Sequence, residues 1–258
     1  MFKMIYNIAR TELQMLFYSP VAWLILVVFG VQSGMLFADQ LAGLVSSQEM
    51  GYDIQGSTIS IFASRWGGVF TTMQNYLYFY IPLLTMSLVS KELSSGSIRL
   101  LYSSPITNTQ IIVGKFFSMM IYGLIMIGIL FLITLCSWAV VKDFELSMVL
   151  TGLLGLYLLI CAYAAIGIFM SSLTSYQIVA AIGTFAVLMV LSMIGGWWQD
   201  YDFIRDVTYW LSMPGRSGKF IAGLICSEDV LYFVIVVCLF LALTIIRLNS
   251  VRQKIRFV

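Results

Sequence analysis

The chain has 258 residues, 60% of them apolar and 10% charged, with a mean hydropathy of +0.96 and a formal net charge of +2. Soluble domains carry ~25% charged residues, so this composition excludes a soluble globule and points to an integral membrane protein. Histidine is absent, which removes the commonest metal ligand and the usual near-neutral proton shuttle.

Residues 2–18 carry two interleaved stripes, apolar Phe2, Ile5, Ala9 and Leu16 and polar Lys3, Asn7, Arg10 and Gln14. This spacing predicts an amphipathic helix lying in the membrane interface. The apolar run after Pro20 is longer than a signal-peptide core and shows no obvious cleavage site, so the segment is expected to be retained. A membrane-crossing helix needs ~20 apolar residues, and six fit, at about 21–38, 70–89, 116–141, 146–170, 177–198 and 230–246. The expected fold is all-α, a single six-helix transmembrane domain over 1–258. Its longest polar connections, 39–69 and 199–229, are too short for an independent core.

Small residues in the fourth span (Gly152, Gly155, Ala162, Ala164, Ala165, Gly167) and the fifth (Ala180, Ala181, Gly183) predict an antiparallel hairpin turning at 171–176. In 197–229, Phe203, Val207, Trp210 and Leu211 recur at helical spacing before a Pro214–Gly215 break, and 220–226 is apolar but too short to cross. That reads as a helical hairpin dipping into the outer leaflet, with a surface loop as the alternative. Cys136, Cys161, Cys226 and Cys238 have no metal-type pairing and read as buried small apolar residues.

Orientation follows from charge. With the N-terminus inside, the inner segments hold Lys3, Arg10, Lys91, Arg99, Lys115, Arg247, Arg252, Lys254 and Arg256 against Glu12 and Glu92; the outer segments hold the five other basic residues and the ten other acids. The excess of basic residues marks the cytoplasmic side, so both termini are expected there. The basic tail is expected on anionic inner-leaflet lipid.

Residues 90–115, SKELSSGSIRLLYSSPITNTQIIVGK, are where this apolar chain turns polar. A helix over 91–103 would stack Glu92, Gly96, Arg99 and Ser103 on one side, with Leu93, Leu100 and Leu101 on the adjacent flank. Pro105 would end it, and Thr107 or Asn108 would cap the next helix, running through Gln110 and Lys115. The pattern resembles the cytoplasmic segment of type-2 ABC exporter permeases: acid, small residues, Gly, Ser, Ile, two Leu, Ser-Ser-Pro, then Gln-Ile and Gly-Lys. LFYSPVAWL at 16–24 resembles the entry to the first span in the branch of gliding-motility and copper-linked nitrous-oxide-reduction permeases. AAIGIFMSSLTSYQIVAAIGTF at 164–185 resembles the turn between the fourth and fifth spans.

The resemblance implies a bacterial inner-membrane permease subunit of an ATP-driven exporter, paired with itself or a related permease and with two ATPase copies. It implies that the ATPases push on residues 91–104, with Glu92 and Arg99 as charged contacts and Leu100–Leu101 as the apolar grip. Gln32, Gln74, Asn75, Pro82 and Thr85, polar or kinking residues in or beside the first two spans, are expected at a dimer seam or substrate path, with plain packing an equal alternative.

Neither Gly114–Lys115 nor Gly218–Lys219 completes a phosphate-binding loop, because Thr109 and Met213 stand where its first glycine belongs and phenylalanine follows each lysine. No cofactor, metal or nucleic-acid partner is expected, and catalysis is expected on a partner chain. No charged residue falls inside the six spans, which disfavours an ion-coupled carrier. A membrane scaffold that docks a cytoplasmic partner is the alternative.

Overall fold

The computed structural model describes residues 2–50, 57–64, 67–97, 106–140, 144–194 and 212–256. The described residues are all-helical. The helices are α1 (Phe2–Tyr18), α2 (Pro20–Glu49), α3 (Ser57–Phe62), α4 (Val69–Thr85), α5 (Ser90–Ser95), α6 (Asn108–Val140), α7 (Leu146–Leu173), α8 (Gln177–Met193), α9 (Met213–Ile221) and α10 (Ser227–Arg256).

Four of them, α2, α6, α7 and α10, are long and apolar enough to cross a membrane. α4 and α8 have 17 residues each, and α4 carries Pro82 in its last turn. α7 is the hub: 72% of its apolar window is buried, against 22–33% for the other three, and it packs against α4, α6, α8, α9 and α10. The outer helices show apolar side chains instead, such as Trp23, Val27 and Val31 on α2 and Leu231, Ile235 and Leu239 on α10. Apolar surface of that extent marks faces covered by lipid or by a partner protein.

α1 forms as its stripes predict. Lys3, Asn7, Arg10 and Gln14 are exposed, and Ala9 and Leu16 are buried. α2 corrects the expected first span, because the helix runs on to Glu49 where a polar loop was expected from residue 39. Nothing between 39 and 49 breaks a helix, and Ser46 and Ser47 donate their hydroxyls back to the Gly43 carbonyl. The α7–α8 hairpin turns where expected, between Leu173 and Gln177. Gly183 of α8 does meet Met170 of α7, at 2.9 Å from an added Cβ, but the glycines of α7 serve other neighbours: a Cβ at Gly155 would lie 2.3 Å from Phe220 of α9, so this glycine lets α9 press onto α7. The cysteine expectation holds only for Cys161; Cys136, Cys226 and Cys238 are exposed.

The helix expected over 91–103 stops at Ser95. Gly96 takes a left-handed backbone (φ 71°) and ends α5 instead of joining a charged stripe. Serines favour that stop, since Ser94 donates to the Lys91 carbonyl and Ser97 N–H donates to Ser95 Oγ, local bonds that compete with continued helix. Arg99, Leu100, Leu101, Ser103 and Pro105 lie outside the described residues, as do Phe203, Val207, Trp210 and Leu211.

Candidate coupling site

One end of the bundle gathers α1, the end of α4, α5, the start of α6, the α7–α8 turn and the end of α10. By the charge distribution this is the end expected on the inner side. Thr107 caps α6 through a reciprocal pair: Gln110 N–H donates to Thr107 Oγ1 (3.3 Å), and Thr107 N–H donates to Gln110 Oε1 (3.1 Å). This is a capping box. Asn108 instead donates to Asn249 Oδ1 (2.7 Å), and Arg252 donates to the Ile106 carbonyl (3.3 Å). The end of α10, the basic tail expected on anionic lipid, is therefore also tied to protein at Asn249 and Arg252.

α1 lies along α6 because Gly114 admits it. A Cβ there would come within 2.7 Å of Ile8. That close approach carries Glu12 to the next residue, Lys115, about two turns into α6. Lys115 Nζ is 2.5 Å from Glu12 Oε1 and 2.8 Å from Glu92 Oε1, with its side chain 2% exposed. One lysine thus binds α1, α5 and α6 together, and two carboxylates share one cation. Losing Lys115, the shared partner, costs ~3–5 kcal/mol, mostly because it strands the two carboxylates. Burial raises the Glu92 carboxyl above its usual 4.5, opposed by the Lys115 ammonium and assisted by the negative charge of Glu12.

α5 is also held from behind. Ser171, near the end of α7, accepts from the backbone N–H groups of Val89 (3.1 Å) and Ser90 (3.0 Å) and donates to the Met86 carbonyl (2.9 Å). It satisfies amides that α5 leaves open at its start. A cavity of about 610 Å³ adjoins the cluster, lined by α1, α2, the end of α4, α5, Lys115 and Gln177.

At the opposite end, Arg216 of α9 pairs with Asp229 of α10 at 2.5 Å, and Lys219 approaches the same carboxylate at 3.5 Å. The Arg216 guanidinium also lies over the Tyr232 ring, 4.4 Å from its centroid. Pro214 sits in the first turn of α9, and Ser212 caps that helix by accepting from Gly215 N–H (3.3 Å). The Pro-Gly pair therefore opens a helix there.

The residues expected at a seam or substrate path do not gather into one site. Gln32 accepts from the Tyr80 hydroxyl, joining α2 to α4. Gln74 is buried and donates to the Pro214 carbonyl (3.0 Å), joining α4 to α9. Thr85 is buried and returns its hydroxyl to the Ile81 carbonyl (2.9 Å), Pro82 is buried within α4, and Asn75 is exposed.

Sequence reasoning counted Glu12 only as a charge. It sits at i, i+3, i+4, i+7 with Ile5, Ile8 and Ala9, in line with the apolar stripe, and that placement was the available signal. Ser171 carried no such signal.

Fold and site together define a polytopic helical membrane protein whose surface helices are fastened to long apolar helices by buried charge. Residues 6–199 match the family model of the ABC-2 family transporter proteins, and the chain belongs to that family, a membrane component of transport systems. Glu12, Glu92 and Lys115 lie inside the matched range, whereas Arg216 and Asp229 lie beyond it. No curated protein matches the chain.

Proposed function

We propose that this chain is the permease subunit of an ATP-driven exporter, driven by a separate ABC ATPase that engages the segment beginning at α5. It crosses the bacterial inner membrane six times, α4 and α8 completing the four longer spans, as one domain with both termini cytoplasmic. It pairs with a second permease copy and two ATPases, in the manner of the gliding-motility and copper-linked branch. Gln32, Gln74, Asn75, Pro82 and Thr85 flank the dimer seam or substrate path. α9 belongs to the outer re-entrant element.

The observation that carries the reading is Lys115 fastening α5 to α1 and α6. A push on Glu92, with Arg99, Leu100 and Leu101 as further ATPase contacts, reaches α6 through a buried ion group. Coupling then requires that the ATPase contact this segment differently in its nucleotide-bound and free states. The test is to purify the chain with the ATPase encoded beside it and to compare ATP hydrolysis in lipid discs for wild type and Glu92→Ala. A stable complex whose hydrolysis falls in the variant supports the reading. Failure to bind any ATPase overturns it.

A further inference from the structure

The cavity beside the inner cluster has two poles. Its floor holds Glu12, Glu92 and Lys115, where two carboxylates share one ammonium and leave an excess of one negative charge. Its rim holds Lys91, which is exposed, with the hydroxyls of Ser87 and Ser95. Leu16, Leu84 and Leu88 wall the space between, and Met15, Val21 and Leu83 continue the lining as apolar side chains open to the outside of the bundle. A negative floor, a positive hydroxyl-bearing rim and an apolar flank suit one kind of molecule. A simple anion is opposed by the floor, a simple cation by the rim, and an acidic lipid leaves the floor uncompensated.

We propose that this cavity binds the headgroup of a zwitterionic aminophospholipid of the inner leaflet. The lipid ammonium donates to the free oxygens of Glu12 and Glu92. Its phosphate accepts from Lys91 and the rim hydroxyls, and its tails leave along Met15, Val21 and Leu83. At about 610 Å³ the cavity falls among small-ligand sites of ~300–1,000 Å³, room for a headgroup and glycerol with the tails outside. The proposal rests on the membrane placement given above but needs no ATPase, so lipid binding and stimulated hydrolysis can fail independently.

The test releases the full-length protein from lipid discs holding equal amounts of phosphatidylethanolamine, phosphatidylcholine and phosphatidylglycerol and reads the retained lipid by native mass spectrometry. Phosphatidylethanolamine is expected to be retained about tenfold over each of the others, the ratio that one charge-assisted hydrogen bond supplies. Ser87→Trp, which fills the cavity, is expected to abolish that excess. Lys91→Gln, at an exposed position, removes a phosphate contact common to the three lipids and is expected to lower the amount of phosphatidylethanolamine retained about tenfold, and it decides the question alone if the tryptophan variant misfolds. Equal retention of the three lipids, preference for the glycerol lipid, or an amount of phosphatidylethanolamine undiminished in Lys91→Gln overturns the proposal. Displacement of the lipid by free phosphoethanolamine at equal concentration overturns the lipid as the source of the headgroup.

Discussion

The two buried charge clusters mirror each other in composition and differ in reach. The inner one places a single lysine of α6 between an acid of α1, 103 positions away, and an acid of α5, 23 positions away. The outer one places a single aspartate against two basic residues of α9, only 13 and 10 positions away along the chain, with Tyr232 beneath the guanidinium. The inner cluster is net negative, with two carboxylates to one ammonium. A cluster closed between consecutive helices fastens a local hairpin. A cluster that joins three separate elements at a cavity's floor determines whether they move together, and this is the physical basis for assigning coupling to the inner end and clamping to the outer.

Breaking the inner cluster should have the larger effect. Lys115→Met strands two carboxylates in a buried place and is expected to cost ~3–5 kcal/mol, read as a fall in melting temperature in lipid discs together with loss of permease-dependent ATP hydrolysis. Arg216→Met leaves Asp229 with Lys219 nearby, so a loss at the lower end of that range is expected. Hydrolysis stimulated by the permease should survive in that variant at temperatures where it stays folded. An equal loss of coupling in both would erase the distinction between the two ends.

Smaller changes sharpen it. Ser171→Ala removes the acceptor for the Val89 and Ser90 amides and should cost ~1–3 kcal/mol, seen as faster hydrogen exchange confined to the start of α5. Glu92→Gln gives the smallest effect and one of definite sign. Because the folded carboxyl titrates above 4.5, the folded state binds more protons than the unfolded state in the interval between the two values. The contribution of Glu92 is therefore fully present below about pH 4.5 and is lost as pH rises through the raised value. The variant should flatten that part of the stability profile measured by thermal unfolding from pH 4 to 8, and an unchanged slope would contradict the burial of this group.

The membrane class, the amphipathic first helix and the α7–α8 turn were legible because each rests on composition or spacing that reads the same in any context. The polar segment before α6 was legible as a place, and its Thr107 cap as a motif. What could not be read was the assembly of the inner cluster, since Glu12, Glu92 and Lys115 meet only when Gly114 lets α1 lie on α6. The glycines of α7 show the same limit. Their smallness announced close packing, but whether Gly155 would meet α8 or Phe220 of α9 depended on the path of a chain segment more than 60 residues on. Gly96 fits a helix face by spacing alone, and the serines on either side of it tip the local balance toward a stop.

The central claim is that α5, α1 and the start of α6 move as one body when the ATPase closes. Spin labels at Arg10→Cys on α1 and Ser94→Cys on α5, both exposed, report this directly once the exposed Cys136, Cys226 and Cys238 are replaced by serine. Pulsed electron–electron distance measurements would be made on the permease–ATPase complex with and without trapped ATP. The account predicts a single narrow distance that is the same in both states and becomes broad in Lys115→Met. A wild-type distance that changes between the two states while hydrolysis remains coupled would contradict it.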